Sequence, residues 1–440
     1  MAWNGTTSAE TGSTRRFAAL RSRNFALLWS GLIISNAGSW MQLVAQGWLV
    51  YDLTQSPFIL GLVGIARAVP LIILPPFGGT IADRVPRLKL LKVTQLLSFL
   101  LALPLAFLAL FDLVQVWEIV LLSFLGGAVN AFDQPTRQAL LPDLVRKEDL
   151  TSAVALNSAA WQGSSLLGPT LAGVTITTMG VAGAFFFNAF SFLAVILALY
   201  VMHDVPERSA TPASRRNLFS DVAMGLRYVQ TVRPVLALIL LSVVVNLFGR
   251  SYQQLLPAFA RDTLHQGTAG LGFLTSAPGL GTLVAAFALA ALGDVRHKGT
   301  ILLVSMAAFG ALILLFAVTA SFPLALVLLT FAGVTNFAFS TMTMTMLQLN
   351  VPNEMRGRVL SLLVVTAQGF APMGSLFVGA AAEVIGTQRA VGASALLVGV
   401  AAIVALIALP GVRAYGEASE RSSAAPDDTA VPLKPPSARI

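Results

Sequence analysis

Apolar residues run through this chain in stretches too long for a soluble core. A stretch of about 20 apolar residues lets one helix cross the hydrocarbon of a bilayer. Twelve such stretches follow one another, near 25–50, 58–81, 90–111, 117–138, 151–178, 182–202, 235–254, 270–292, 300–320, 323–347, 358–383 and 391–410. We number them span 1 to span 12. Short polar turns join most of them, so successive spans run antiparallel. The longest connection runs from His203 to about Pro234 and is rich in Pro, Ser and Arg. The stretch after Pro410, rich in Ala, Ser, Pro and Asp, is expected to be disordered. The pattern divides the chain into an N-terminal segment (1–24), a six-span half (25–202), a linker (203–234), a second six-span half (235–410) and a tail (411–440).

The polar positions inside the spans are not scattered. Span 1 carries Ser35, Ser39, Gln42 and Gln46, and span 4 carries Ser123, Asn130, Gln134 and Arg137. Span 7 has Asn246, Arg250 and Gln253, and span 10 has Asn336, Ser340 and Thr343. The spacing gathers each set toward one helix face. Spans 3, 6, 9 and 12 are almost wholly aliphatic and aromatic. An unsatisfied polar group in hydrocarbon costs several kcal/mol, so the four stripes point to a shared wet cavity. Hydrogen bonding between helices of a closed bundle is the alternative. Arg67 stands out further. At the tenth residue of span 2 it lies about 15 Å deep at 1.5 Å per residue, near the midplane, and Asn36 reaches a similar depth. A charge there costs at least about 2.5–3.5 kcal/mol. It is expected to bond to helix carbonyls or to Asn36 and Gln42, or else to meet an anionic or carbonyl-rich ligand with Arg250 as a second contact.

Charge sets orientation. All but four of the 28 Lys and Arg residues fall at the chain ends or in loops on one side. The exceptions are Arg67 and Arg250 inside spans, and Arg261 and Arg389 in opposite loops. The positive-inside rule makes the basic side cytoplasmic and leaves both termini there. With 56% hydrophobic and 11% charged residues, the net charge of +8 reports topology. It is not the folded basic surface a nucleic-acid partner would need. There is no cysteine, so disulfides and thiolate sites are excluded. No apolar leader precedes span 1, which is expected to direct insertion itself.

The chain also repeats. Gln162-Gly163, Gly168 and Gly173 in span 5 recur as Gln368-Gly369, Gly374 and Gly379 in span 11, at a constant offset of 206 residues. Glu148 falls on Glu354 at the same offset. Asn36 falls on Asn246 and Asp52 on Asp262 at an offset of 210, and Asp83 on Asp294 at 211. Two six-helix halves related about an axis along the membrane normal are a transporter arrangement.

Between spans 2 and 3 lies Gly79-Thr-Ile-Ala-Asp83-Arg84-Val-Pro-Arg87-Leu-Lys89. It resembles the signature loop of the major facilitator superfamily, G-x-x-x-D-R-x-G-R-R/K, matching at Gly79, Asp83, Arg84 and Arg87. Pro86 stands in place of the Gly and Leu88 in place of a base. The loop, the repeat and the order of polar and apolar spans together resemble the major facilitator fold over residues 20–410. That fold is all-α, with twelve transmembrane helices in two pseudo-symmetric halves and spans 1, 4, 7 and 10 lining the central path. Leu140-Leu-Pro142-Asp143-Leu-Val and the run from Met346 to Arg358, with Pro352, Glu354 and Gly357, resemble the branch of enterobactin exporters and macrolide-efflux proteins. Membership would imply export of small amphipathic, drug- or siderophore-like molecules across the plasma membrane.

The resemblance implies roles. Asp83 and Arg87 would join Asp133, near the cytoplasmic end of span 4, in a latch that holds the halves in the outward-facing state. Asp133 could instead pair locally with Arg137, one helical turn on. Gly168-Pro169-Thr-Leu-Ala172-Gly173 resembles the G-P-x-x-G-G element of antiporters, with Ala172 replacing one Gly; helix packing alone would also account for it. The R-x-x-Q-G element of proton antiporters is missing from span 4. No span carries a carboxylate near its middle, the usual proton carrier. Asp133 is nearest the cytoplasmic end, while Asp52, Asp112, Glu118 and Glu383 are near the outer ends. No phosphate-binding loop, nucleophile–base pair or metal cluster appears, and His203, His265 and His297 are all in loops. The expectation is therefore a secondary transporter, not an enzyme. It needs no cofactor or metal, and its partners are a small-molecule substrate, the bilayer and the proton gradient. A monomer is expected. A membrane-embedded sensor or a lipid-acting protein on the same fold is the alternative. The candidate cavity residues are Asn36, Gln42, Arg67, Asn130, Asn246, Arg250 and Asn336. Met342, Met344 and Met346 could add an adaptable apolar surface.

Overall fold

A computed structural model describes residues 17–74, 85–203, 218–293 and 295–412. Those residues fold into a bundle of helices. Span 1 is Arg23–Thr54, span 2 Pro57–Ile73, span 3 Arg87–Leu110 and span 4 Val116–Leu144. Spans 5 and 6 are two helices within Leu150–Val201, separated by a kink at Gly180. In the second half, span 8 is Thr268–Leu292, span 9 Lys298–Val318, span 10 Phe322–Asn350 and span 12 Thr387–Ala408. Among the described residues nine helical segments are long and apolar enough to cross a membrane. One of them contains both spans 5 and 6, and span 1 with its polar stripe and the shorter span 2 are not among them. The path is consistent with twelve crossings.

Local sequence explains where helices start and turn. Ser22 caps span 1 by accepting from the Phe25 amide, and Ser56 caps span 2 by accepting from Ile59, with Pro57 at the first helical position. Span 5 passes to span 6 at Gly180, whose φ of 73° and ψ of 176° only glycine adopts without strain. The connection between spans 6 and 7 contains a helix, Leu218–Thr231, that the hydropathy pattern does not reveal. Its Gly225 lies against Arg358 and Leu362 at the start of span 11.

Two spans of the second half are irregular. Span 7 runs Arg233–Val244 and Tyr252–Ala258, with π-helical turns at Val245–Gly249 and Phe259–Thr263. Span 11 runs Asn353–Val365 and Ala371–Ile385 around a π-helical turn at Thr366–Phe370. Each π turn inserts a residue and re-aims the side chains after it, a feature common at functional sites. Their counterparts in the first half, span 1 and the span 5 portion of Leu150–Val201, have none.

Spans 3, 6, 9 and 12 carry exposed apolar side chains, among them Leu96, Leu100, Phe190, Leu197, Val304, Leu315, Val400 and Ile407. In a bilayer this surface meets lipid. The interior core is continuous through the second half, where Tyr252, Phe259, Phe309 and Phe316 are fully buried.

Candidate transport site

Two cavities lie inside the bundle, lined by polar residues of spans 1, 4, 5 and 7. One, of about 130 Å³, is within the first half and is lined by Asn36, Gln42, Gln46, Arg67, Asn130 and Asp133 among others. The other, of about 320 Å³, lies between the halves, where Trp40, Trp161 and Gln162 of the first half face Arg250, Gln253 and Gln254 of the second. Trp161 borders both. Asn246 lines neither: it is buried, donates to the Ser242 carbonyl at 2.8 Å and accepts from the Arg250 guanidinium at 3.4 Å. Asn336, half-buried on span 10, lines neither cavity.

The smaller cavity is a polar network. Gln46 donates to Ser123 at 2.5 Å, and Asn188 of span 6 donates to Gln42. Asp133 is 4% exposed yet accepts from Thr94 and Gln95 at 2.7 Å each and pairs with Arg137 at 2.5 Å. Three partners explain how a carboxylate is held in this position. The Asn130 side-chain oxygen is buried without a partner. Arg67 enters at a close helix crossing, because a Cβ on Gly127 would stand 2.2 Å from the Arg67 carbonyl oxygen. Neither Arg67 nor Arg250 has a carboxylate partner among the described residues.

The halves meet along two seams. In the first, spans 2 and 11, a Cβ on Gly61 would lie 2.6 Å from the Ser375 carbonyl oxygen and one on Gly379 2.5 Å from that of Pro57. In the second, spans 8 and 5, a Cβ on Gly272 would lie 2.5 Å from the Pro169 carbonyl oxygen and one on Gly173 2.9 Å from that of Thr268. The sequence offsets of 206 and 211 carry every residue of one seam onto the other: Gly61 onto Gly272, Pro57 onto Thr268, Pro169 onto Ser375 and Gly173 onto Gly379. The repeat is thus a two-fold backbone contact. Both seams lie toward the side opposite the basic loops.

Polar contacts close that side. Arg261 pairs with Asp52 at 2.5 Å, Tyr51 donates to Asp262, and Glu383 accepts from the Ser56 hydroxyl and, at 3.2 Å, from the Phe58 amide. Each contact joins the two halves. Toward the basic side the seams loosen. Gly369 is touched by the Ile72 side chain, but its counterpart Gly163 has nothing within 4 Å. The arrangement is closed opposite the basic loops.

Of the latch residues, Gly79, Asp83 and Arg84 lie outside the described residues. Arg87 binds Asp143 at 2.8 Å and the Ala139 carbonyl at 2.8 Å, with the Asp143 side chain only 3% exposed. Asp133 takes its local partner Arg137. In the sequence Asp143 stands out only as part of a family stretch; no spacing argument connects residues 56 positions apart. In the span 5 element, Gly168 packs against Trp40 and Ala37, Pro169 is buried, and Gly173 packs against span 8. Trp40, Trp161 and Gln254 are not singled out by the sequence either, because nothing in their spacing shows that the three meet across the halves.

The bundle, the two-fold seams and the central cavity define a membrane transporter of the major facilitator type. The model of the transmembrane secretion effector family matches residues 14–438, and the chain belongs to this family of major facilitator transporters. It is 25% identical over 354 residues to the staphyloferrin A transporter of Staphylococcus aureus, covering 80% of this chain and 88% of that one. It is 25% identical over 390 residues to the multidrug efflux pump Tap of Mycolicibacterium fortuitum, covering 86% and 94%. Among solved structures, a bacterial homologue of the iron transporter ferroportin in an inward-facing state matches with a TM-score of 0.70 at 16% identity, covering 89% of this chain and 98% of that one. An inward-facing bacterial homologue of the lysosomal transporter Spinster matches at 0.69 and 12%, covering 90% and 98%. The structural matches speak for the fold alone. The chain is a multi-pass secondary transporter of small molecules and not an enzyme.

Proposed function

We propose that this chain exports small amphipathic molecules across the plasma membrane by alternating access, as an antiporter driven by the proton gradient. The observation that carries the proposal is the pairing of a central cavity with seams that, among the described residues, are tightest on the side opposite the basic loops. With the basic loops and both termini cytoplasmic, this is the inward-facing state, ready to load from the cytoplasm. The name of the efflux pump Tap supports the outward direction. The chain works as a monomer, with its halves over 25–202 and 235–410 rocking about the 203–234 linker.

The latch reading fits this state. In the outward-facing state Asp83, Arg84 and Arg87, with Gly79 allowing close approach, engage Asp133 and the start of span 11. In the inward-facing state the parts are parked, Arg87 on Asp143 and Asp133 on Arg137. The latch biases two states and performs no chemistry. Asp133, the carboxylate inside the polar cavity beside Arg67, Asn36, Gln42 and Asn130, is also our candidate for the proton carrier. Gly168, Pro169 and Gly173 keep the seam tight and so limit leakage.

One experiment addresses export and coupling together: efflux of a panel of labelled compounds from cells, with and without a protonophore. We expect export that stops when the gradient collapses, and that is lost in Asp133→Asn and Asp83→Asn with membrane expression intact. Efflux unchanged by the protonophore would overturn the coupling. Wild-type efflux in both variants would overturn the latch.

A further inference from the structure

The cavity between the halves is chemically lopsided in a way that the two-fold repeat makes visible. Arg250 and Trp40 are equivalent positions at the 210-residue offset, and both line this cavity. One half therefore presents a guanidinium where the other presents an indole. Trp161 adds a second indole, with ring centroids 6.0 Å apart and planes tilted by 57°. The two rings form an apolar corner open to a third flat group.

The charge is equally one-sided. Among the described residues, Arg250 is the only charged side chain lining the cavity. Its polar neighbour is the neutral Asn246 oxygen at 3.4 Å, and no carboxylate among the described residues pairs with it. A guanidinium stays protonated, so a positive charge faces a partly desolvated space without an anion. Gln162, Gln253 and Gln254 supply neutral amides around the wall. The guanidinium has no anionic partner among the described residues, and nothing in the described wall can neutralise a cation.

We propose that this cavity selects organic anions with a flat apolar part, the anionic group on Arg250 and the flat part against Trp40 and Trp161. The inference rests on the transport reading for its biological meaning but names the substrate class by chemistry alone. Cations are rejected by Arg250, since specificity comes as much from repulsion of the wrong ligand as from attraction of the right one. A ligand so placed touches both halves, and its binding is linked to their relative position.

The test is equilibrium binding to the full chain in lipid nanodiscs, using radiolabelled 2-naphthoate. The neutral 2-naphthylmethanol, the cationic 2-naphthylmethylammonium and inorganic phosphate serve as competitors. A charge-assisted hydrogen bond at this site makes naphthoate bind about tenfold or more tighter than the alcohol. The ammonium should bind weakest, and phosphate at equal concentration should not displace naphthoate. Arg250→Gln should abolish the preference for anion over alcohol, Arg250→Lys should retain part of it, and Arg389→Gln, which removes an exposed charge elsewhere, should change nothing. Trp161→Ala should weaken naphthoate while leaving the order of the three ligands intact. Equal or tighter binding of the ammonium overturns the proposal, as does an Arg250→Gln protein with undiminished anion preference. Displacement by phosphate alone overturns the aromatic half. Should Arg250→Gln fail to fold, the ligand series on the wild-type chain decides by itself. Binding is read without transport: anion preference without gradient-driven efflux would sink the export reading only, and efflux without anion preference would sink this inference only.

Discussion

The two seams that join the halves share one backbone design and differ in what closes their outer edge. Spans 2 and 11 meet through Gly61, Pro57, Ser375 and Gly379, and spans 8 and 5 through Gly272, Thr268, Pro169 and Gly173, residue for residue. At the edge of the first seam Glu383 caps the start of span 2. At the equivalent place in the second, Thr177 bonds to Thr268 at 2.9 Å, and deeper in, Thr170 bonds to Ser276 at 2.8 Å. A charged acceptor on one side thus answers to hydroxyl pairs on the other. Close backbone approach is the shared requirement, since the contact repeats and the side-chain chemistry does not.

Breaking the shared part should have the largest effect. Gly61→Ala and Gly272→Ala each place a methyl against a carbonyl oxygen, and overpacking of that kind costs about 1–3 kcal/mol. The cost falls on the closed seam, so each variant should shift the population about fivefold or more toward opening on that side. The chain has no cysteine, so labelling of a single Ser375→Cys or Pro169→Cys reports the opening. Near-wild-type labelling in both variants would mean the seams are looser than their backbone distances imply. Gly374→Ala sharpens the comparison. Its Cβ would lie 1.6 Å from the Leu247 carbonyl oxygen, within one half. It should lower thermal stability in both conformations and leave the labelling ratio of the surviving folded fraction unchanged.

Smaller effects should separate the seams. Glu383→Gln weakens two charge-assisted contacts at an exposed edge, with a cost of about 1 kcal/mol or less, read as a modest rise in the same labelling. Thr177→Val, which removes the counterpart bond, should shift it by less. An equal or larger shift in Thr177→Val would mean that the edges are equivalent and the carboxylate adds nothing. The exposed Asp52–Arg261 pair should matter least. Asp52→Asn is expected to change the distribution by about 0.2–1 kcal/mol at low salt and not detectably at high salt. A salt-independent effect there would point to a role beyond charge.

Much of this arrangement is legible in the sequence. The constant offset from Gln162, Gly168 and Gly173 to span 11 announces the repeat, and the seams give that offset a physical cause. The polar stripes of spans 1 and 4 mark the cavity that contains Asn36, Gln42 and Asn130. Less legible is the fate of single residues. Arg67 and Arg250 look alike in sequence, each a lone base inside a span, yet they line different cavities. Arg250 follows a π-helical turn that no counterpart in span 1 shares, and an inserted residue changes a helix face without leaving a compositional trace.

The sequence by itself determined the helical bundle, its doubling and the side that carries the bases. Those properties depend on the composition of each segment, because transfer into hydrocarbon is a sum over local side chains and backbone bonds satisfied within each helix. Only the tertiary structure decided that Arg87 binds Asp143, that Trp40 stands across from Arg250, and that four glycines hold the halves together on one side. These depend on where helices cross, and a crossing is fixed by packing between surfaces far apart in the chain.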